Sequence, residues 1–194
     1  MQRTQTLSTA LFIALLPWSA PNARAQQVPD WTNAASAQGK LGIDVAVNAE
    51  QESYVAGQYQ GQIMLRKVAA DGSLLWEEVS PVNEDLRSEV PTSVFVDPEG
   101  NAVVVGYRYY LWTEWGREIL MLTVLKYAPD GSLIYKHLWP GHFSSFNNQR
   151  FRNGVFARMD AEGFLYIGTG GYLDGLTAGF NAIKVSPAGN IVRV

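Results

Sequence analysis

Catalysis by side chains needs titratable or nucleophilic groups brought together, and this chain of 194 residues offers few that are placed for it. Its two histidines, His137 and His142, stand five apart, which fits neither a metal-ligand spacing nor a His-Glu-x-x-His helix, and it has no cysteine. Gly168-Thr-Gly170-Gly171 has the glycines of a phosphate loop without the Gly-Lys-Ser/Thr ending, and reads as a flexible loop. Gly141-His-Phe-Ser-Ser145 is not the Gly-x-Ser-x-Gly turn of a serine nucleophile. Asp97-Pro-Glu-Gly-Asn101 offers oxygens of the kind Ca²⁺ takes, yet it returns as Asp160-Ala-Glu-Gly163, so a turn is its first reading. Lys67, Lys126 and Lys184 recur at equivalent places. A catalytic lysine is needed once, and one found three times belongs to the scaffold, its stem packed and its ammonium at an edge. No catalytic residue, metal ligand or cofactor is expected.

Aromatic and arginine side chains, by contrast, are plentiful and clustered. One stretch holds Tyr107, Arg108, Tyr109, Tyr110, Trp112, Trp115 and Arg117, and another holds His142, Phe143, Phe146, Arg150 and Arg152. Tyr, Trp and Arg carry most of the binding energy in interfaces because they bury much area and keep a polar handle. The expected binding residues are therefore Tyr109, Tyr110, Trp112, Trp115, Arg117, His142, Phe143 and Arg150, with a protein, peptide or carbohydrate as ligand. The competing reading is that the same aromatics pack long loops onto the framework beneath them. Nucleic acid is not an expected partner: the net charge is −3, the pI about 5.4, and no basic run exceeds Arg66-Lys67.

The framework that must position these residues is a threefold repeat. Lys67-Val-Ala-Ala-Asp-Gly-Ser-Leu-Leu-Trp76, Lys126-Tyr-Ala-Pro-Asp-Gly-Ser-Leu-Ile-Tyr135 and Lys184-Val-Ser-Pro-Ala-Gly-Asn-Ile-Val-Arg193 align without a gap. Upstream of each lies a second block: Val45 to Gly57, Val94 to Gly106 and Ala157 to Gly168, the last shorter by one residue. Each unit reads as four short strands. In the middle unit these are expected at 93–96, 102–107, 119–127 and 132–138, joined at Asp97-Pro-Glu-Gly100 and Pro129-Asp-Gly131 by turns whose glycines supply positive φ. Val103-Val-Val105, Ile119-Leu-Met-Leu122 and Phe164-Leu-Tyr-Ile167 are apolar on consecutive residues, so both faces of their sheets must be covered.

Small antiparallel sheets covered on both faces and repeated at this period are how β-propeller blades look in sequence. The repeats resemble the bacterial β-propeller repeats of the SBBP type, through Asp-Pro-Glu-Gly-Asn-Ala-Val-Val-Val-Gly at 97–106 and Lys-Tyr-Ala-Pro-Asp-Gly-Ser-Leu-Ile-Tyr at 126–135. That resemblance implies an all-β chain of three four-stranded antiparallel blades, at about 41–79, 91–139 and 153–194, and implies no particular activity. Propellers close with about four to eight blades. Three blades make an array that further blades or further chains must complete, unless a segment within residues 26–40 caps it, for instance as a closing strand. In such a ring the first-to-second and third-to-fourth turns share one rim, and the second-to-third loops and blade connections share the other. From the strand-two Gly to the strand-three Lys the intervals are 57 to 67, 106 to 126 and 168 to 184, so the added length and both aromatic clusters fall on the second rim.

The expected function is a binding or scaffold module without catalysis of its own. The alternative is part of a propeller enzyme, or of a quinoprotein-like or envelope-assembly propeller with its site in the ring channel; Gly72-Ser-Leu-Leu-Trp76 is similar to the Gly-x-x-x-Trp docking end of quinoprotein-type blades. Against an enzyme, the first strands that would line a channel offer mainly Ala, Val and Phe. Residues 1–25 read as a secretory signal peptide: Arg3, an apolar run from Leu7 to Leu16, then Ala23-Arg24-Ala25 as the cleavage site. The run is too short to span a bilayer, and the expected location is periplasmic or extracellular.

Overall fold

The computed structural model describes residues 40–81, 86–112, 117–144, 155–171 and 179–192. Residues 1–25, expected to be a signal peptide, and, apart from Lys40, the segment 26–40 lie outside the described residues. Alternating apolar runs between glycine turns give twelve strands, and there is no helix among the described residues. The first sheet comprises β1 (Lys40–Val47), β2 (Ser53–Tyr59), β3 (Gln62–Val68) and β4 (Leu74–Val79). The second comprises β5 (Leu86–Val96), β6 (Ala102–Trp112), β7 (Arg117–Tyr127) and β8 (Leu133–Ser144). The third comprises β9 (Val155–Met159), β10 (Leu165–Gly171), β11 (Gly179–Val185) and β12 (Ile191–Val192). Within each sheet, strands neighbour one another in chain order and pair antiparallel.

The turns follow from their residues. Asn48, Asp97 and Asp160 each open the first turn of a sheet, their side-chain oxygens accepting from the backbone N–H four residues on. The second-to-third turn of the first sheet is Gln60-Gly61, both at positive φ, the two-residue hairpin that matches strand twist.

Each sheet has a leading face toward the next sheet in the chain and a trailing face toward the one before. Tyr54, Ile63 and Leu65 on the leading face of the first sheet pack against Val104, Leu125 and Tyr127 on the trailing face of the second. Val105, Leu122 and Val124 pack in turn against Leu165, Ile167 and Val185 of the third. This arrangement explains the unbroken run Val103-Val-Val105. Val104 faces one core and its neighbours the other, each valine contributing about 1.5 kcal/mol or more by leaving water.

Three expectations about local structure are corrected. The middle unit is longer than 91–139: β5 begins at Leu86, β8 ends at Ser144, and most of the supposed loop between Tyr107 and Ile119 is paired strand, with Tyr110 opposite Ile119 and Trp112 opposite Arg117. Tyr, Trp, Ile and Leu suit a pleated, half-covered surface, so the ladder runs on past the residues that the repeats share. Similarly, Gly168 to Gly171 is strand and not a flexible loop, paired with 179–182. The third unit also needs no deletion. Lys67, Lys126 and Lys184 stand opposite Tyr54, Val103 and Tyr166, which puts Thr169 where Gly57 and Gly106 stand.

Those two glycines are required by bulges. The register shifts between Gly42 and Asp44 and between Pro91 and Ser93, and the bulged strand crowds its neighbour so that a Cβ at Gly57 or Gly106 would collide with the carbonyl of Leu41 or Val90. β9 and β10 pair without a shift from Met159 to Val155, and the place opposite Val155 is taken by Thr169 instead of a glycine.

Candidate functional site

The second sheet outgrows its neighbours at one end. Its strands have 11, 11, 11 and 12 residues, against 8, 7, 7 and 6 in the first sheet, and β6 continues four residues past Arg108, the register equivalent of the last residue of β2. At about 3.3 Å per residue that is a tab roughly 13 Å long. It carries six of the eight expected binding residues: Tyr109, Tyr110 and Trp112 on β6, Arg117 on β7, and His142 and Phe143 on β8. Pairing of Leu120 with Phe143 and of Trp112 with Arg117 sets them on three adjacent strands. Trp115 and Arg150 lie outside the described residues. Tyr109 is half-buried and meets Tyr107 edge-to-face at 5.4 Å, with Val90 and Val155 packed beside them, so at the root of the tab the aromatics do serve packing.

Beneath that root is a polar cluster that no sequence motif announces. Glu89, fully buried on β5, stands opposite Arg108 in the register, and Ser80 Oγ donates to Glu89 Oε2. Lys136 Nζ is 2.6 Å from Glu89 Oε1 and also donates to the carbonyl of Pro81 at 3.1 Å. Gln58 Nε2 donates to the Glu89 carbonyl at 2.7 Å. The cluster fastens the connection between the first two sheets across their seam. A carboxylate without solvent contact cannot reach a substrate, so its work is structural. Its partners come from β2, the connection after β4 and β8, at separations with no repeat, which is why reading along the chain does not assemble it.

The repeated lysines have a common geometry. Lys67 Nζ lies 2.8 Å from Glu52 and donates to the carbonyl of Pro129 in the next sheet at 3.3 Å. Lys126 Nζ lies 2.8 Å from Asp97 and donates to the carbonyl of Pro187 at 3.0 Å. The Lys67 and Asn48 side chains hold the Glu52 carboxyl below its ordinary value. Burial alone would raise Asp97, but the Lys126 ammonium and the Asn101 side chain outweigh it and the carboxyl is held below the usual carboxylate range. Asp97 Oδ1 accepts from the N–H groups of Glu99 and Asn101, and Oδ2 from Asn101 Nδ2 and the Lys126 ammonium. Its lone pairs are engaged, so this is a turn cap and not a Ca²⁺ loop. Among the described residues no group of three or more His, Cys, Asp or Glu is placed to hold a metal.

The β4-type strands add aromatic cover. Trp76 lies over Gly131 of the next sheet's turn, and its Nε1 donates to the Pro129 carbonyl at 2.9 Å. Tyr135 and His137 lie over Gly189 in the same way, with the His137 ring tilted against those of Tyr135 at 4.6 Å and Trp139 at 5.6 Å. His137 is thus a packing residue.

No family model and no curated protein matches the chain. Among solved structures, a protein of unknown function from Bacteroides caccae is similar at a TM-score of 0.49 and 14% identity, the match covering 81% of this chain and 46% of that one. The chain thus matches less than half the length of that protein.

Proposed function

We propose that this chain is an exported β-propeller-repeat module without catalytic activity, one that binds a protein, peptide or carbohydrate through the tab of its second sheet. The observation that carries this reading is the one-sided growth of β5–β8, which places Tyr110, Trp112, Arg117, His142 and Phe143 on strand extensions that the first sheet does not have. Nothing in the stacking of Val94, Val104 and Leu125 calls for strands of this length. The alternative, part of a quinoprotein-like or other propeller enzyme, has the docking of Trp76 over Gly131 in its favour. That contact joins sheets and does no chemistry, and the titratable groups that the first strands bring to a seam, Asp44 and Glu89, are engaged there with the Val94 N–H and with Ser80 and Lys136.

Truncating Trp112 and Trp115 together to Ala tests the reading. The full chain and the variant are screened against an oligosaccharide array and a displayed peptide library. The variant is expected to lose at least tenfold in affinity for ligands that the wild type selects, while its thermal unfolding midpoint stays in place. Unfolding of the variant, or undiminished binding, overturns the proposal.

A further inference from the structure

The two seams of the stack are made by one repeated clasp, and parts of a third, its lysine on one face and its turn on another, stand open on the outer faces of the described residues; the aromatic is not repeated, since Arg193 takes the place of Trp76 and Tyr135 in the alignment of the repeats. In each seam the leading face supplies a β3-type lysine and a β4-type aromatic; the trailing face of the next sheet supplies a turn carbonyl and a turn glycine. Lys184 is the third lysine. It rests over Phe164 and Tyr166 at 4.2 and 5.0 Å, and the Tyr166 hydroxyl raises its pKa. The turn at the other end is 69–72, where the Gly72 N–H donates to the Ala69 carbonyl as in the two occupied turns. Aromatic rings cover Gly131 and Gly189, whereas nothing lies within 4 Å of a Cβ built on Gly72.

The apolar surface on these two faces matches the same pattern. Phe156 is 67% exposed and Tyr166 41% exposed on the leading face of the third sheet, and Val45 and Val47 are each 52% exposed on the trailing face of the first. Val94, the register equivalent of Val45, is 4% exposed because a sheet lies on it. The trailing face of the first sheet is even built with the cross-sheet ion pair of the second, its charges reversed: Lys40 with Glu77 at 2.6 Å replaces Glu89 with Lys136.

We propose that the leading face of the third sheet docks on the trailing face of the first sheet of a second copy of this chain, so that two chains close one ring of six sheets. The contact is head-to-tail, donor half to acceptor half, and six sheets fall within the range at which such rings close. Lys184 then leaves its aromatic rest and donates to the Ala70 carbonyl of the second copy, as Lys126 does to Pro187. Phe156 holds the register place of Asp44, whose carboxylate accepts from the Val94 N–H at 2.9 Å, and so comes to lie beside Val45 of the second copy. The proposal is independent of what the tab binds.

Sedimentation equilibrium and native mass spectrometry of the full chain test it. The expected mass is twice that of the chain. Phe156→Asp and Val45→Asp, one on each face, should each raise the dissociation constant at least tenfold with the β-sheet circular dichroism unchanged. Mixing the two variants should restore a two-chain species through the one unaltered pair of faces. The chain has no cysteine, so the double variant Phe156→Cys, Val45→Cys should become a covalent dimer on mild oxidation, because the equivalent pair at the first seam, Asp44 and Val94, is close enough for a side chain of one to bond the backbone of the other at 2.9 Å. The cysteine variant also decides the matter if an aspartate variant fails to fold. A single-chain mass for the wild type, an open series of three or more chains, or cross-linking by either single cysteine variant overturns the proposal.

Discussion

Asp97 shows what the repeated lysine does for the fold. It is buried with Lys126 at a seam, and its carboxyl is held below the ordinary Asp value of about 3.9. A depressed folded pKa means that the stabilisation is complete above the unfolded value and is lost as pH falls through the folded one. Urea unfolding measured from pH 6 downward should therefore show stability falling below about pH 4, and Asp97→Asn should make that fall shallower by up to one proton. Glu52 and Glu77 are depressed too, the first mainly by Lys67, the second by Lys40 and Arg66 against its own burial, so some slope remains in the variant. Equal slopes in the two proteins would show that the Lys126 pair adds nothing. The recurrence of the lysine was plain in the sequence, and so was its scaffold role. Its acceptor was not, since the Pro129 carbonyl lies 62 residues away in the next unit.

At the scale of the strand, the repeat was legible where its signal is chemical and illegible where it is a matter of register. Asp-Gly, Glu-Gly and Ala-Gly turns marked their hairpins because only glycine takes the required φ at low cost, and Gly72, Gly100, Gly131, Gly163 and Gly189 all do so. The length of β6 and β7 was missed because a distance from Gly106 to Lys126 counts residues and not pairs. Aligning Gly168 with Gly57 and Gly106 went wrong for a related reason: the glycine is conserved by a bulge in β1 and β5, and the third sheet has no bulge at that register. Gly57→Ala and Gly106→Ala should each cost about 1–3 kcal/mol, since the added methyl meets the backbone carbonyl of Leu41 or Val90, which cannot rotate away as a side chain can. Thr169→Ala should be close to neutral on the same scale. Denaturant midpoints of the three variants check this, and a neutral Gly106→Ala would remove the bulge as the cause.

Among the described residues the molecule is a stack in which each sheet packs on its neighbours in the chain, and its two larger cores are separate: one holds Leu65 with Leu125, the other Val124 with Ile167. Consecutive apolar residues announced that both faces were covered, and Val103-Val-Val105 does sit between those cores. What covers the outermost faces is not written in any one unit, because the answer depends on how units meet. Nearest-neighbour stacking makes stability roughly a sum of unit and seam contributions, so a seam can fail by itself. Ile167→Ala removes a side chain that is 1% exposed and should cost about 2–5 kcal/mol, all of it at the second seam. Hydrogen exchange should then show β9–β12 losing protection while β2 and β3, locked by Tyr54, Ile63 and Leu65 in the first seam, keep theirs. Uniform loss across all three sheets would mean that the stack unfolds as one cooperative unit and that the seams do not act independently.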